Sequence, residues 1–104
     1  APFLERNRPD LVLALAVIHH VVISGNVPVP AALDLFAGLG AELVLEIPTE
    51  RDPMVRRLLR GKRAGVHDDY RLDVIEPAIE ARFDVRRRVD LPSGTRVLFE
   101  LAPR

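Results

Sequence analysis

Histidines carry most of the chemistry this chain's composition permits. There is no cysteine among its 104 residues, which removes thiol nucleophiles, disulfides and Cys-ligated zinc together. His19 and His20 stand side by side after an apolar run, and His67 lies apart. An imidazole titrates near neutrality, so either neighbour could orient a substrate or take its proton. Equally, each could be a loop residue that bonds nearby backbone and fixes a turn. Adjacent residues of an extended segment point to opposite sides, so the three histidines are not expected to share an ion and no metal is expected. No zinc or calcium spacing occurs elsewhere. Ser24 and Ser93 lie in turn contexts without a G-x-S-x-G elbow. Glu46, near the end of a second apolar run, reads as a helix cap or an arginine's partner, because no second carboxylate stands at a defined spacing for acid–base work.

Three function classes recede on composition. Fifteen basic side chains balance fifteen acidic ones, so nothing electrostatic favours a nucleic-acid partner. The basic groups Arg56, Arg57, Arg60, Lys62, Arg63 and Arg82, Arg86, Arg87, Arg88 lack interleaved aromatics and read as solvated faces, with Arg87 lying partly along apolar surface. The longest apolar stretch, residues 11–23, is too short to span a bilayer and is interrupted by His19 and His20. No secretory leader is recognisable. A cytoplasmic protein without a membrane partner is the expectation.

The elements that must position these residues alternate. Residues 11–18, from Leu11 to Ile18, form an apolar run without a polar face, as in a strand buried on both sides of a parallel sheet; a buried helix is the competing reading. Ser24-Gly25-Asn26 ends the region. Pro30 then opens a helix through Leu33, Leu35 and Phe36 that Gly38 and Gly40 stop. Residues 41–47 make a second strand. Asp52-Pro53 supplies an N-cap and first residue for a helix with Met54, Val55, Leu58 and Leu59 on one face. Asp73 and Glu76 have capping-box spacing, which would place Pro77 in the first turn of another helix. Residues 84–91 alternate Val85, Arg87, Val89 and Leu91 against Arg86, Arg88 and Asp90. Val97, Phe99 and Leu101 share one face of a last strand, and Pro92-Ser93-Gly94 joins the two as a hairpin. The order is strand, helix, strand, helix, helix, strand, strand: an α/β chain with a mixed sheet of about four strands, whose first two are parallel neighbours joined by a helical crossover.

This order, with three of its segments, resembles the C-terminal half of the class I S-adenosylmethionine-dependent methyltransferases, a Rossmann-like fold. Asp10-Leu11-Val12-Leu13-Ala14-Leu15-Ala16-Val17-Ile18-His19-His20 is similar to that fold's fourth strand and following loop. Glu46-Ile47-Pro48 with Asp52-Pro53-Met54-Val55 looks like the end of the fifth strand and the next helix. The segment from Asp84-Val85 to Leu101 looks like the sixth and seventh strands. The resemblance covers essentially the whole chain and is nearest to a bacterial group, some labelled nodulation-type. It implies methyl transfer from S-adenosylmethionine to an O, N or C nucleophile of a small molecule. It also implies that Ala14, Leu15 and Ala16 line the cofactor, and that His19, His20 and Asn26 border the substrate, the histidines as candidate catalytic groups.

The chain departs from the family in one respect. It contains no G-x-G-x-x-G, and Gly38-Leu39-Gly40 is followed by a strand instead of a helix. The glycine turn and the ribose-binding carboxylate that grip such a cofactor are expected in an N-terminal half outside this sequence. The chain alone is therefore expected to bind the cofactor weakly, to be inactive, and to dimerise through the strand at Leu11 to Ile18. A small non-catalytic α/β interaction module is the alternative. A glycine-rich strand-loop-helix encoded upstream of Ala1 would distinguish the two.

Overall fold

A computed structural model describes residues 10–104. Its elements are β1 (Leu11–Ala14), a π-type helical turn (His20–Ser24), α1 (Val29–Ala37), β2 (Glu42–Pro48), α2 (Pro53–Arg60), α3 (Leu72–Arg82), β3 (Phe83–Asp90) and β4 (Arg96–Pro103). They build one four-stranded sheet in the order β1-β2-β4-β3. β1 runs parallel to β2, while β4 is antiparallel to both β2 and β3. Three strands thus share a direction, and β4, the second strand of the C-terminal hairpin, is the reversed one. The expected α/β class, mixed sheet and closing hairpin are all present, as part of a Rossmann-like arrangement. No helix of the described residues is long and apolar enough to cross a membrane.

Strand alternation sorts the sheet into two unlike faces. Leu43, Leu45 and Ile47 of β2 and Val97, Phe99 and Leu101 of β4 are buried in one core with Ile18, Leu33, Ile75 and Ile79 from the helical side. On that side α1 packs against α3, and the π-type turn packs against α1 and α2. Asp34 of α1 and Arg82 of α3 pair at 2.7 Å. Registration places Leu11 beside Glu42, Leu13 beside Val44, and Val44 beside Glu100 on the opposite face. There Leu11 is 54 % and Leu13 63 % exposed.

Four local expectations need correction. The first strand stops at Ala14 instead of Ile18, because Ala16 adopts a left-handed backbone (φ 55°) that ends the extended run. Nor is that strand buried on both sides, since β1 is an edge strand and only Val12 and Ala14 face the core. Asp73 and Glu76 form no capping box. α3 begins at Leu72, and Glu50 from the end of β2 caps it across space by accepting from the Leu72 N–H at 3.0 Å; this leaves Pro77 in the second turn. Finally, β3 carries a bulge between Val85 and Arg87, which breaks the simple alternation. Arg88, not Arg87, therefore lies over apolar surface: its guanidinium sits 5.9 Å from the Phe99 ring and pairs with Glu76 at 2.6 Å.

Candidate functional site

The site begins where β1 fails to continue. After Ala16 the chain bends into a helical turn, with the His20 and Val21 N–H groups both donating to the Val17 carbonyl. His19 and His20 therefore lie on a helical turn rather than on an extended segment, and their rings approach to 4.1 Å between centroids instead of pointing apart. The turn widens to π geometry, closed by the Gly25 N–H on the His20 carbonyl at 2.9 Å. A Cβ at Gly25 would meet the Val21 carbonyl oxygen at 2.6 Å, so this wide turn requires glycine. Single π turns inside helical segments occur often at functional sites.

The two histidines have unlike surroundings. His20 is exposed. His19 is 1 % exposed, and its Nδ1 is buried without a hydrogen-bond partner. Burial lowers the His19 pKa below its ordinary 6.5; His20 and the Arg96 guanidinium push the same way, and Asp52 and Glu46 oppose them. At neutral pH His19 is an uncharged imidazole.

Arg96, Glu46 and Asp52 form a clamp at the carboxyl edge of the parallel strands. Arg96 opens β4, and because β4 is reversed its first residue arrives beside the last residues of β2. Its Nη1 donates to Glu46 Oε1 at 3.1 Å, and its Nε donates to Asp52 Oδ2 at 2.9 Å. Asp52 also accepts from the Met54 N–H at 3.0 Å, as the N-cap of α2, and from the Thr95 hydroxyl at 2.9 Å. Burial alone would raise the Asp52 pKa, but the hydrogen bonds from Arg96, Thr95 and Met54 outweigh it and hold the carboxyl below its ordinary value. Tyr70 adds a strut, its buried hydroxyl donating to the Pro48 carbonyl at 2.7 Å.

The expected site residues divide accordingly. Ala14 is buried in the sheet, Leu15 is half exposed and Ala16 makes the bend, so the three flank the carboxyl end of β1 without forming a continuous surface. Asn26 lies beyond the π-type turn, itself left-handed (φ 53°), and its Oδ1 accepts from Lys62 Nζ at 3.2 Å. It borders a groove that is separate from the clamp. Glu46 pairs with an arginine, as one of its two sequence readings held. Among the described residues no group of three His, Cys, Asp or Glu side chains is placed to hold a metal ion. Sequence reasoning passed over Arg96, Thr95 and Tyr70. Arg96 was accessible in principle: the first residue of a reversed strand beside a parallel one must arrive at the parallel strand's carboxyl end.

No protein-family model matches the chain, and no solved structure matches it. It is similar to nodulation protein NoeA of Rhizobium meliloti (strain 1021), 30 % identical over 97 residues that make up 93 % of this chain and 20 % of that protein. The chain thus spans about a fifth of the length of the curated relative it matches.

Proposed function

We propose that this chain is the C-terminal half of a methyltransferase domain, and that the complete protein transfers a methyl group in the cytoplasm from S-adenosylmethionine to an O, N or C nucleophile of a small molecule. The observation that carries this reading is the sheet itself: three strands of one direction and one reversed strand from a C-terminal hairpin, with the paired histidines just beyond the carboxyl end of β1. Open α/β sheets place ligands at that edge. The similarity to a much longer nodulation protein agrees with a chain that works as part of a larger one.

The residues present fit one wall of such a site. The bend at Ala16 leaves Leu15 and Val17 facing outward at 50 % and 39 % exposure, apolar surface suited to a neighbouring cofactor or strand. The opposing wall, with its glycine turn and ribose carboxylate, belongs to the N-terminal half. That half would also cover the open sheet face around Leu11 and Leu13. Ala14, Leu15 and Ala16 would border S-adenosylmethionine at the end of β1, Leu15 by direct contact and Ala14 from within the sheet, and the cofactor would supply an electrophilic methyl group. Such displacement depends mainly on holding the reacting atoms in line. His20, exposed beside the site, is the residue that reaches the acceptor and takes its proton. His19 packs against the His20 ring, and being uncharged it adds no positive charge there.

A non-catalytic interaction module is the second reading, favoured by the exposed apolar side chains of β1. Methyl transfer by the complete protein decides between them. With labelled S-adenosylmethionine and its native acceptor, His20→Ala is expected to lower turnover by about 100-fold or more while leaving cofactor affinity unchanged. Full activity in both His20→Ala and His19→Gln would refute the site assignment.

A further inference from the structure

A groove separate from the clamp opens between the turn after His20–Ser24 and the segment at residues 62–70. Its volume is about 280 Å³, just below the range of drug-sized ligand sites, about 300 to 1,000 Å³. Val22, Val27, Pro28 and Val66 form apolar walls, and the polar groups facing it are Asn26, His67 and Asp69. Both rims are fixed. Lys62 ties the second rim to Asn26 of the first at 3.2 Å, and the Tyr70 hydroxyl and Glu50 carboxylate anchor the segment's far end to the end of β2. His67 also lines the groove, and its Nε2 is buried with no hydrogen-bond partner, at a cost in free energy.

The groove's polar groups favour one kind of ligand. The Asn26 carbonyl oxygen accepts from Lys62 and keeps a second lone pair, and its amide group carries two N–H donors. Asp69 offers a carboxylate that only accepts, and no cation bonds it among the described residues. A carboxylate beside apolar walls attracts a hydrogen-bond donor or a cation and repels an anion. We propose that this groove binds a compact apolar molecule carrying a hydroxyl or amine group, which donates to Asp69. That this molecule is the methyl acceptor rests on the methyl-transfer reading; the donor preference of the groove does not. The two agree chemically, because an O–H or N–H group is both a donor and a nucleophile that loses a proton when methylated.

Nitrogen-15-labelled chain titrated with benzylamine, benzyl alcohol and benzoate tests the proposal, since the three share one apolar body and differ in the polar group. Benzylamine and benzyl alcohol are expected to shift the amide signals of Val22, Val27, Val66 and His67 saturably, and benzoate at least tenfold more weakly. Val66→Trp, at an exposed position, fills the groove and should abolish those shifts. Asp69→Asn should erase the preference for benzylamine over benzoate. Benzoate binding as well as the amine, or shifts unaffected by Val66→Trp, would overturn the proposal. Transfer assays on the complete protein read the methyl-transfer claim separately, so failure of one is distinguishable from failure of the other.

Discussion

Replacing Asp52 with alanine removes the residue on which most of the clamp converges. Its side chain is 4 % exposed and accepts from the Met54 N–H, the Thr95 hydroxyl and the Arg96 guanidinium. Losing the helix cap costs about 1 kcal/mol. Each remaining hydrogen bond contributes roughly 1 kcal/mol net, those to charged groups somewhat more. Arg96 keeps Glu46 at 3.1 Å and is itself 26 % exposed, so the roughly 3–5 kcal/mol for stripping a fully buried ion pair is an upper bound. The expected loss is about 3 kcal/mol, which for a chain of this size lowers the melting temperature by roughly 12–24 °C. Asp52→Asn preserves the cap and removes the charge, and should lose about half as much. The wild-type carboxyl is held below its ordinary value of 3.8. The Asp52 contribution is therefore present above that pH and lost as pH falls through it towards the folded-state value. Urea unfolding at pH 7 and at pH 3 measures both effects. A loss under about 0.5 kcal/mol at pH 7 for Asp52→Ala, within the range of an ordinary surface substitution, would refute this account of the clamp.

Other outcomes follow from the same geometry. Burial, aided by His20 and Arg96, keeps His19 from taking a proton that the unfolded chain binds below its ordinary 6.5, so stability should fall as pH drops below about 6.5; His19→Gln should flatten that slope, and an unchanged slope in unfolding curves would show that His19 is not its source. Gly25→Ala forces a Cβ to 2.6 Å from the Val21 oxygen and should cost more than 1 kcal/mol by thermal unfolding; a neutral result would mean the π turn relaxes freely. The isolated chain should dimerise through the β1 edge and its exposed Leu11 and Leu13, with Leu13→Lys restoring the monomer in sedimentation; an association that Leu13→Lys leaves intact would place the interface elsewhere.

How far these features can be read from residues alone depends on how local their causes are. Asp52-Pro53 announces a capped helix because cap and first turn are adjacent in sequence, and Val97, Phe99 and Leu101 share a buried face because strand period is fixed by covalent geometry. The bend at Ala16 carries no such signal. An alanine gives no warning of a positive φ, so the apolar run reads as one long strand although only its first four residues pair. The Arg86 bulge is equally silent, since alternation counts residues and a bulge inserts one. Glu50 capping α3 and Arg96 joining Glu46 to Asp52 span 22 to 50 residues of sequence, and such pairs emerge only once the sheet order is known. The histidine pair stands out by residue type, but the difference between a buried His19 and an exposed His20 depends on tertiary packing.

Cofactor binding tests the central claim most directly. Calorimetric titration of the complete protein with S-adenosylmethionine should give one site of micromolar affinity, while this chain alone, lacking the glycine turn and ribose carboxylate, should give no measurable heat. Absence of binding to the complete protein, or micromolar binding to the isolated chain, would contradict it.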